Sequence, residues 1–175
     1  MKILITGHKG SIGSCLWKLL EGNELFGTED IMNDELPDVD VVYHLGAKVD
    51  TDRSIIDPFW DMENIPMSLK IATKYRDKKI IYISSIAASE PFKWPYGISK
   101  RAGGDYIKFF CPKAVIIIAP TIWKGYVDNF ARFLLKTKDF KPGTYRFRYD
   151  LVITCVILLK RIFLKIKRII FGPPV

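Results

Sequence analysis

The stretch TGHKGSIG, residues 6–13, limits what this chain can become more than any other. It follows Lys2–Ile5, a β-branched and leucine run that reads as a buried strand. It leads into CLWKLLEG, where Leu16, Leu19 and Leu20 mark one face of a helix and Gly22 marks its stop. Glycines at 7, 10 and 13 meet three needs at once. The chain must turn tightly out of the strand, its backbone must approach a pyrophosphate closely, and the helix must pack hard against the sheet. The helix N-terminus then offers unpaired N–H groups and a partial positive charge to phosphates. A glycine-rich turn without a ligand is the plainer alternative; the strand before it and the helix after it favour dinucleotide binding.

The rest of the chain repeats the alternation. Glu24–Thr28 reads as a second strand, and residues 30–38 are acidic and broken by Pro37. Val39–Leu45 reads as a buried strand. A helical stretch starts at Asp57-Pro58 and runs to about Lys74. Lys79–Ser84 is a strand, Pro95–Phe110 a helix, and Ala114–Ala119 an apolar strand closed by Pro120. Apolar strands alternating with helices predict an α/β fold with a parallel sheet covered on both faces. At 175 residues the chain fits one domain. The expected division is a dinucleotide-binding part over 1–140 and a reduced C-terminal segment over 141–175.

The GxxGxxG spacing of Gly7, Gly10 and Gly13 resembles the short-chain dehydrogenase/reductase superfamily. Further segments follow in that family's order and are similar to its extended subgroup, the nucleotide-sugar epimerases and dehydratases. They are YHLGAKVD (43–50), RSIIDPFWDMENIPMSLKIATKY (53–75), IIYISSIAA (80–88), WPYGISKR (94–101) and AVIIIAPTIWKG (114–125). The resemblance covers about residues 1–125 and implies a Rossmann-like, doubly wound fold. It implies that Lys9, Ser11 and Ile12, with the three glycines, hold the cofactor's phosphates. By the same resemblance Leu45, Gly46 and Ala47 lie along the cofactor, and Asn64 and Pro120 belong to its site. Glu29 and Asp30 follow the second strand, where an acid bonds the adenosine ribose and disfavours a 2′-phosphate. That favours NAD over NADP, although Lys9 argues the other way; a solvated turn is the alternative for both acids.

Hydride transfer at a carbinol carbon needs a group to move the hydroxyl proton. Tyrosine, with a pKa of about 10, is a poor base at neutral pH unless a nearby ammonium favours its phenolate. Tyr96 and Lys100 lie four residues apart, on one helix face. The resemblance implies that Tyr96 is the acid or base, that Lys100 tunes it and holds the nicotinamide ribose, and that Ser85 orients the substrate oxygen, with Ser84 as fallback. Taken singly, these are an aromatic at a helix start, a solvated charge and a capping hydroxyl.

The chain departs from the family pattern in four places. A strand and helix are trimmed between Glu29 and Val39. Ten residues separate Ser85 from Tyr96, where the family has a longer loop. Ala119 replaces an arginine before proline, and about 50 residues remain for the substrate-binding half. Apart from these four, Ile86 follows Ser85 where the resemblance implies an acid for a 4,6-dehydratase. The reading is therefore an epimerase, dehydratase or reductase acting on a nucleotide-linked sugar. The alternative is a non-catalytic dinucleotide-binding module.

Net charge is +8, and residues 141–175 hold +7 of it, so the main body is nearly neutral and a globally basic nucleic-acid binder is excluded. The segment GTYRFRYD alternates aromatic and basic residues as a half-buried strand does, with Asp150 placed to cap a helix. Along that helix Lys160, Arg161, Lys165, Lys167 and Arg168 fall within an arc of roughly 160°. Such a helix fits a solvated core helix, an anionic membrane surface or, through residues 151–171, a homo-oligomer interface. Three scattered cysteines and two histidines predict free thiols, no metal site and a cytoplasmic protein. MKILITG does not read as a signal peptide.

Overall fold

The computed structural model describes residues 1–148, apart from residues 58 and 92. Its six strands form one parallel sheet: β1 (Lys2–Thr6), β2 (Glu24–Thr28), β3 (Val41–His44), β4 (Lys79–Ser85), β5 (Val115–Ala119) and β6 (Gly143–Arg146), in the order β2-β1-β3-β4-β5-β6. The helices are α1 (Ser11–Leu19), α2 (Thr51–Ile56), α3 (Phe59–Met62), α4 (Asn64–Lys74), α5 (Pro95–Phe110) and α6 (Val127–Thr137). This is the doubly wound α/β arrangement expected from the sequence.

Period-two alternation divides the strand residues between two cores. Leu4, Val42, Ile80, Tyr82 and Ile116 face α4 and α5, meeting Met67, Ile71 and Ile107. Ile3, Ile5, Val41, Tyr43, Ile81 and Val115 face α1 and α6, meeting Leu16, Phe130 and Leu134. Every residue of β3 is buried, with Val41, Val42 and Tyr43 apolar and His44 the one polar member.

Among the described residues no strand or helix lies between Thr28 and Val41, which leaves β2 at the sheet edge. The trimmed unit is therefore the one that would pair outside β2. The stretch expected from Asp57 to about Lys74 is present as α3 and α4, with the Asp57 carboxylate accepting the Phe59 N–H at 3.2 Å. Two helices were not expected. The first, α2, precedes Asp57, and at its start the Asp50 carboxylate accepts the Arg53 N–H at 2.9 Å. Helix α6 was not expected at all, although Phe130, Ala131 and Leu134 are fully buried at helical spacing. Strand β6, expected from the aromatic–basic alternation of GTYRFRYD, pairs with β5 and extends the same sheet. The readings on Tyr149, Asp150 and the basic helix at 151–171 lie outside the described residues. No helix among the described residues is long and apolar enough to cross a membrane.

A buried polar chain ties β1, β3 and α4 together. The Gly46 N–H donates to Thr6 Oγ1 at 2.9 Å, and Thr6 Oγ1 lies 2.8 Å from His44 Nδ1. His44 Nε2 lies 3.2 Å from Ser68 Oγ, whose hydroxyl donates to the Asn64 carbonyl at 2.8 Å. With Ser68 and Gly46 both donating, the consistent assignment is a neutral imidazole protonated at Nε2, accepting the Thr6 hydroxyl at Nδ1. Burial, with the nearby Lys100 charge, pushes the His44 pKa down to about 3. The unfolded chain takes a proton below the ordinary imidazole value of about 6.5 that the folded chain refuses. Stability therefore falls as pH drops from that value towards 3. His44→Gln is expected to flatten this slope in urea unfolding measured between about pH 6 and pH 4, whatever it does to stability at neutral pH; an unchanged slope would contradict the assignment.

Candidate functional site

The chain leaves β1 towards β2 on one side and β3 towards β4 on the other, so the strand order reverses between β1 and β3. Open α/β sheets bind ligands at such a point, beyond the strand C-termini. Here Gly7 takes φ +67°, and a Cβ there would stand 2.9 Å from the Gly46 Cα. The loops after β1 and β3 are thus packed backbone to backbone. A Cβ on Gly13 would stand 2.1 Å from the Gly7 carbonyl oxygen, so only glycine lets α1 sit this close to the loop. Gly10 caps α1 without any side-chain hydrogen bond, and no acid occupies the first turn. The first N–H groups of α1 are open to an anion.

A cleft of about 380 Å³ opens there, lined by Gly7, Gly10, Ser11, Ile12, Gly13, Glu29, Leu45, Gly46 and Ala47, all of them expected. It is also lined by Ile31, Lys48, Val49, Met67 and Ile83, which were not. These additions are mostly apolar residues that read as core in sequence. The topology brings them to the cleft, since the ends of β2, β3 and β4 converge there. Glu29 reaches the cleft with its Oε1 accepting the Lys9 N–H at 2.8 Å and lying 3.0 Å from His8 Nδ1.

Four of the expected residues stand elsewhere. Lys9 is exposed and meets Glu29 through its backbone. Asp30 closes a turn by accepting the Asn33 backbone and side-chain N–H groups at 3.2 and 2.9 Å, which holds its carboxyl below the usual range. Pro120 does not line the cleft. Asn64 is buried and acts as a clamp: its Oδ1 accepts the Lys48 N–H at 2.7 Å, and its Nδ2 donates to the Lys48 carbonyl and to Ser99 Oγ. It fixes the cleft wall to α5.

Ser85 and Tyr96 come together at the end of β4. Ser85 accepts the Ala87 N–H at 3.2 Å and hydrogen-bonds the Tyr96 phenol. A Cβ on Gly97 would stand 2.4 Å from the Ala87 carbonyl oxygen, so the glycine after Tyr96 is what lets α5 approach the turn after Ser85. The Tyr96 N–H donates to Ser54 Oγ at 3.4 Å. Ser84, the fallback, does not make these contacts and lies on the other strand face. Ile83 lines the cleft two residues before Ser85 and on the same strand face, which connects the two regions.

Tyr96 does not show the expected lowered pKa. Burial, reinforced by the Asp61 charge and opposed by the Ser85 hydrogen bond, pushes it up to about 12. Lys100 is 3% exposed, and its ammonium lies 4.4 Å above the Tyr82 ring. Burial pushes its pKa down to about 7, so at neutral pH it is only partly charged. That is the physical reason the expected tuning is missing from the protein alone. Among the described residues no group of three His, Cys, Asp or Glu side chains converges as a metal site would require, and Cys15 and Cys111 are free thiols.

No protein-family model matches the chain, and no curated protein matches it by sequence. Solved structures do. A dTDP-4-dehydrorhamnose reductase from Clostridium acetobutylicum superposes with a TM-score of 0.75 at 21% identity, over 84% of this chain and 74% of the other. They share a fold. The Bordetella bronchiseptica enzyme WbmH, in complex with NAD+, gives 0.68 at 17% identity over 83% and 74%. The UDP-Glc/GlcNAc 4-epimerase of Campylobacter jejuni gives 0.68 at 13% identity over 85% and 78%.

The buried lysine yields a direct test. Below pH 7 the folded protein must hold a desolvated cation. Between about 7 and lysine's ordinary 10.5 the unfolded chain binds the extra proton, so stability rises with pH across that window. Lys100→Met is expected to be more stable than wild type at about pH 6, with the advantage shrinking as pH climbs through the window, as read by denaturant unfolding. An advantage independent of pH would contradict the burial argument.

Proposed function

We propose that the chain is a nicotinamide-dinucleotide-dependent enzyme of the extended short-chain dehydrogenase/reductase kind, acting by hydride transfer on a nucleotide-linked sugar. The observation that carries this reading is Ser85 beside Tyr96 at the end of β4, with the buried Lys100 one helical turn on in α5, next to a cleft opened by an uncapped helix N-terminus. Solved enzymes sharing the fold are described as a nucleotide-sugar reductase, a 4-epimerase and an NAD+ complex.

The fit to a dinucleotide rests on the cradle itself. The space that a Cβ would fill at Gly7 and Gly13 is taken by backbone, and the open N–H groups of α1 suit a pyrophosphate. Glu29 is the acid for the adenosine ribose, which favours NAD over NADP. When bound, the dinucleotide supplies or accepts the hydride. The chain's own residues handle the proton: Ser85 hydrogen-bonds the reacting oxygen, Tyr96 gives or takes its proton, and Lys100 stabilises the phenolate that remains. The free thiols accord with a cytoplasmic setting.

A non-catalytic dinucleotide-binding module is the second reading, favoured by the high pKa of Tyr96 in the protein alone. Turnover separates the two. With NADH and a nucleotide-linked 4-keto sugar, wild type should oxidise NADH, and Tyr96→Phe should lose about 10²–10⁴-fold in rate. Binding without turnover in wild type, or equal rates in both proteins, would favour the second reading.

A further inference from the structure

The Lys100 side chain is buried, and its ammonium meets an aromatic face rather than a counter-ion. Its Nζ lies 4.4 Å from the centroid of the Tyr82 ring on β4, and Tyr82 is itself fully buried. None of the ion pairs formed among the described residues includes Lys100. A buried cation without a carboxylate is costly. The negative face of an aromatic ring offsets part of that cost, and it does so more strongly where water is excluded.

Tyr82 holds Lys100 in two ways. Its hydroxyl donates to the Lys100 carbonyl at 3.1 Å, so the phenol grips the backbone of the residue whose side chain its ring faces. Helix α5 comes this close because two consecutive residues carry no side chain. A Cβ on Gly103 would stand 2.7 Å from Tyr82 Oη, and one on Gly104 would stand 3.4 Å from Tyr82 Cε1. Glycine is the poorest helix former after proline, so a pair inside a 16-residue helix weakens it locally. What the pair admits is the Tyr82 ring. In sequence Tyr82 reads only as one more member of a buried strand, and the family resemblance assigns it no role.

We infer that Tyr82 is a positioning residue for Lys100: its ring stabilises the ammonium and its hydroxyl fixes the helical turn that carries it. Its part in turnover rests on the hydride-transfer reading above, in which Lys100 must be charged to stabilise the Tyr96 phenolate. The contact itself does not depend on that reading. Because burial draws Lys100 down to about 7, a modest loss of attraction from the ring changes how much ammonium survives at neutral pH. The other titratable groups bearing on this place stay neutral there. His44 on β3, whose ring centroid lies 5.4 Å from that of Tyr82, is pushed down to about 3. Tyr96 on α5 is pushed up to about 12, and burial raises Tyr82 too.

The test reads the charge on Lys100 without dinucleotide or substrate. The full chain is prepared with lysine carrying ¹³C at Cε, and the Lys100 resonance is identified by its loss in Lys100→Met. Tyr82→Phe keeps an aromatic face, so the Lys100 titration midpoint should move little. Mono-, di- and trifluorinated phenylalanine at position 82 then draw electrons from that face at nearly constant shape. The midpoint should step down with each fluorine, by about one pH unit in all, a roughly tenfold loss of proton affinity. Packing alone would give no such graded response. Fluorinated tyrosines at the same position keep the hydroxyl and supply the series if the Phe variant does not fold. A midpoint that stays put or rises as the ring is fluorinated would overturn the inference. A graded titration in a protein that turns over no nucleotide-linked sugar would support the inference and remove the enzyme reading; a flat titration with turnover intact would do the reverse.

Discussion

The contact on which the rest depends is the approach of α1 to the turn that precedes it. A single added carbon at Gly13 would overlap the Gly7 carbonyl at 2.1 Å. Because that carbon is missing, the helix N-terminus sits against the end of β1 and its open N–H groups face the cleft. Gly7 extends the same economy to the next loop, where its φ of +67° lets the backbone meet Gly46. Three elements are thus set by backbone contact alone, before any side chain contributes specificity.

A polar chain carries this placement across the molecule. From Gly46 and Thr6 it passes through His44 and Ser68 to Asn64, whose amide reaches Ser99, and Ser99 in turn donates to the Tyr96 carbonyl at 3.0 Å. All of its side chains are buried and each has a partner. A buried network with every member satisfied holds one geometry, because breaking any link strands a polar group away from water. The loop between β1 and α1 and the start of α5 are therefore joined by one continuous buried network.

Much of this was legible in the residues. Alternating apolar runs gave the parallel sheet, the glycine spacing gave the tight turn ahead of α1, and Ser85 and Tyr96, with ten residues between them in sequence, come together at the end of β4. Local chemistry was legible where backbone demanded it, as at Gly7 and Gly13. What escaped was set by tertiary contact. Asp30 reads like Glu29 in sequence, yet it folds back onto Asn33. Asn64 reads as a ligand and is a clamp. The apolar residues Ile31, Met67 and Ile83 gain a place in the cleft only through the convergence of strand ends. The pKa of Tyr96 depends on burial and on Asp61, neither of which spacing reveals. Helix α6 is different: its buried Phe130, Ala131 and Leu134 carry a helical signal that was there to be read.

The central claim is that the open end of α1 holds a dinucleotide pyrophosphate. Gly10→Asp tests it at a modest steric cost, since the added Cβ would stand 3.2 Å from the Gly7 carbonyl oxygen. Gly10 has φ −67° and ψ 167°, which any residue adopts, and aspartate is among the best N-caps. The new carboxylate would strengthen α1 while occupying the N–H groups and placing a negative charge where phosphates would lie. Calorimetric titration with NADH should show binding to wild type and none to Gly10→Asp, whose thermal stability should match or exceed wild type. Undiminished NADH binding by Gly10→Asp would contradict the account.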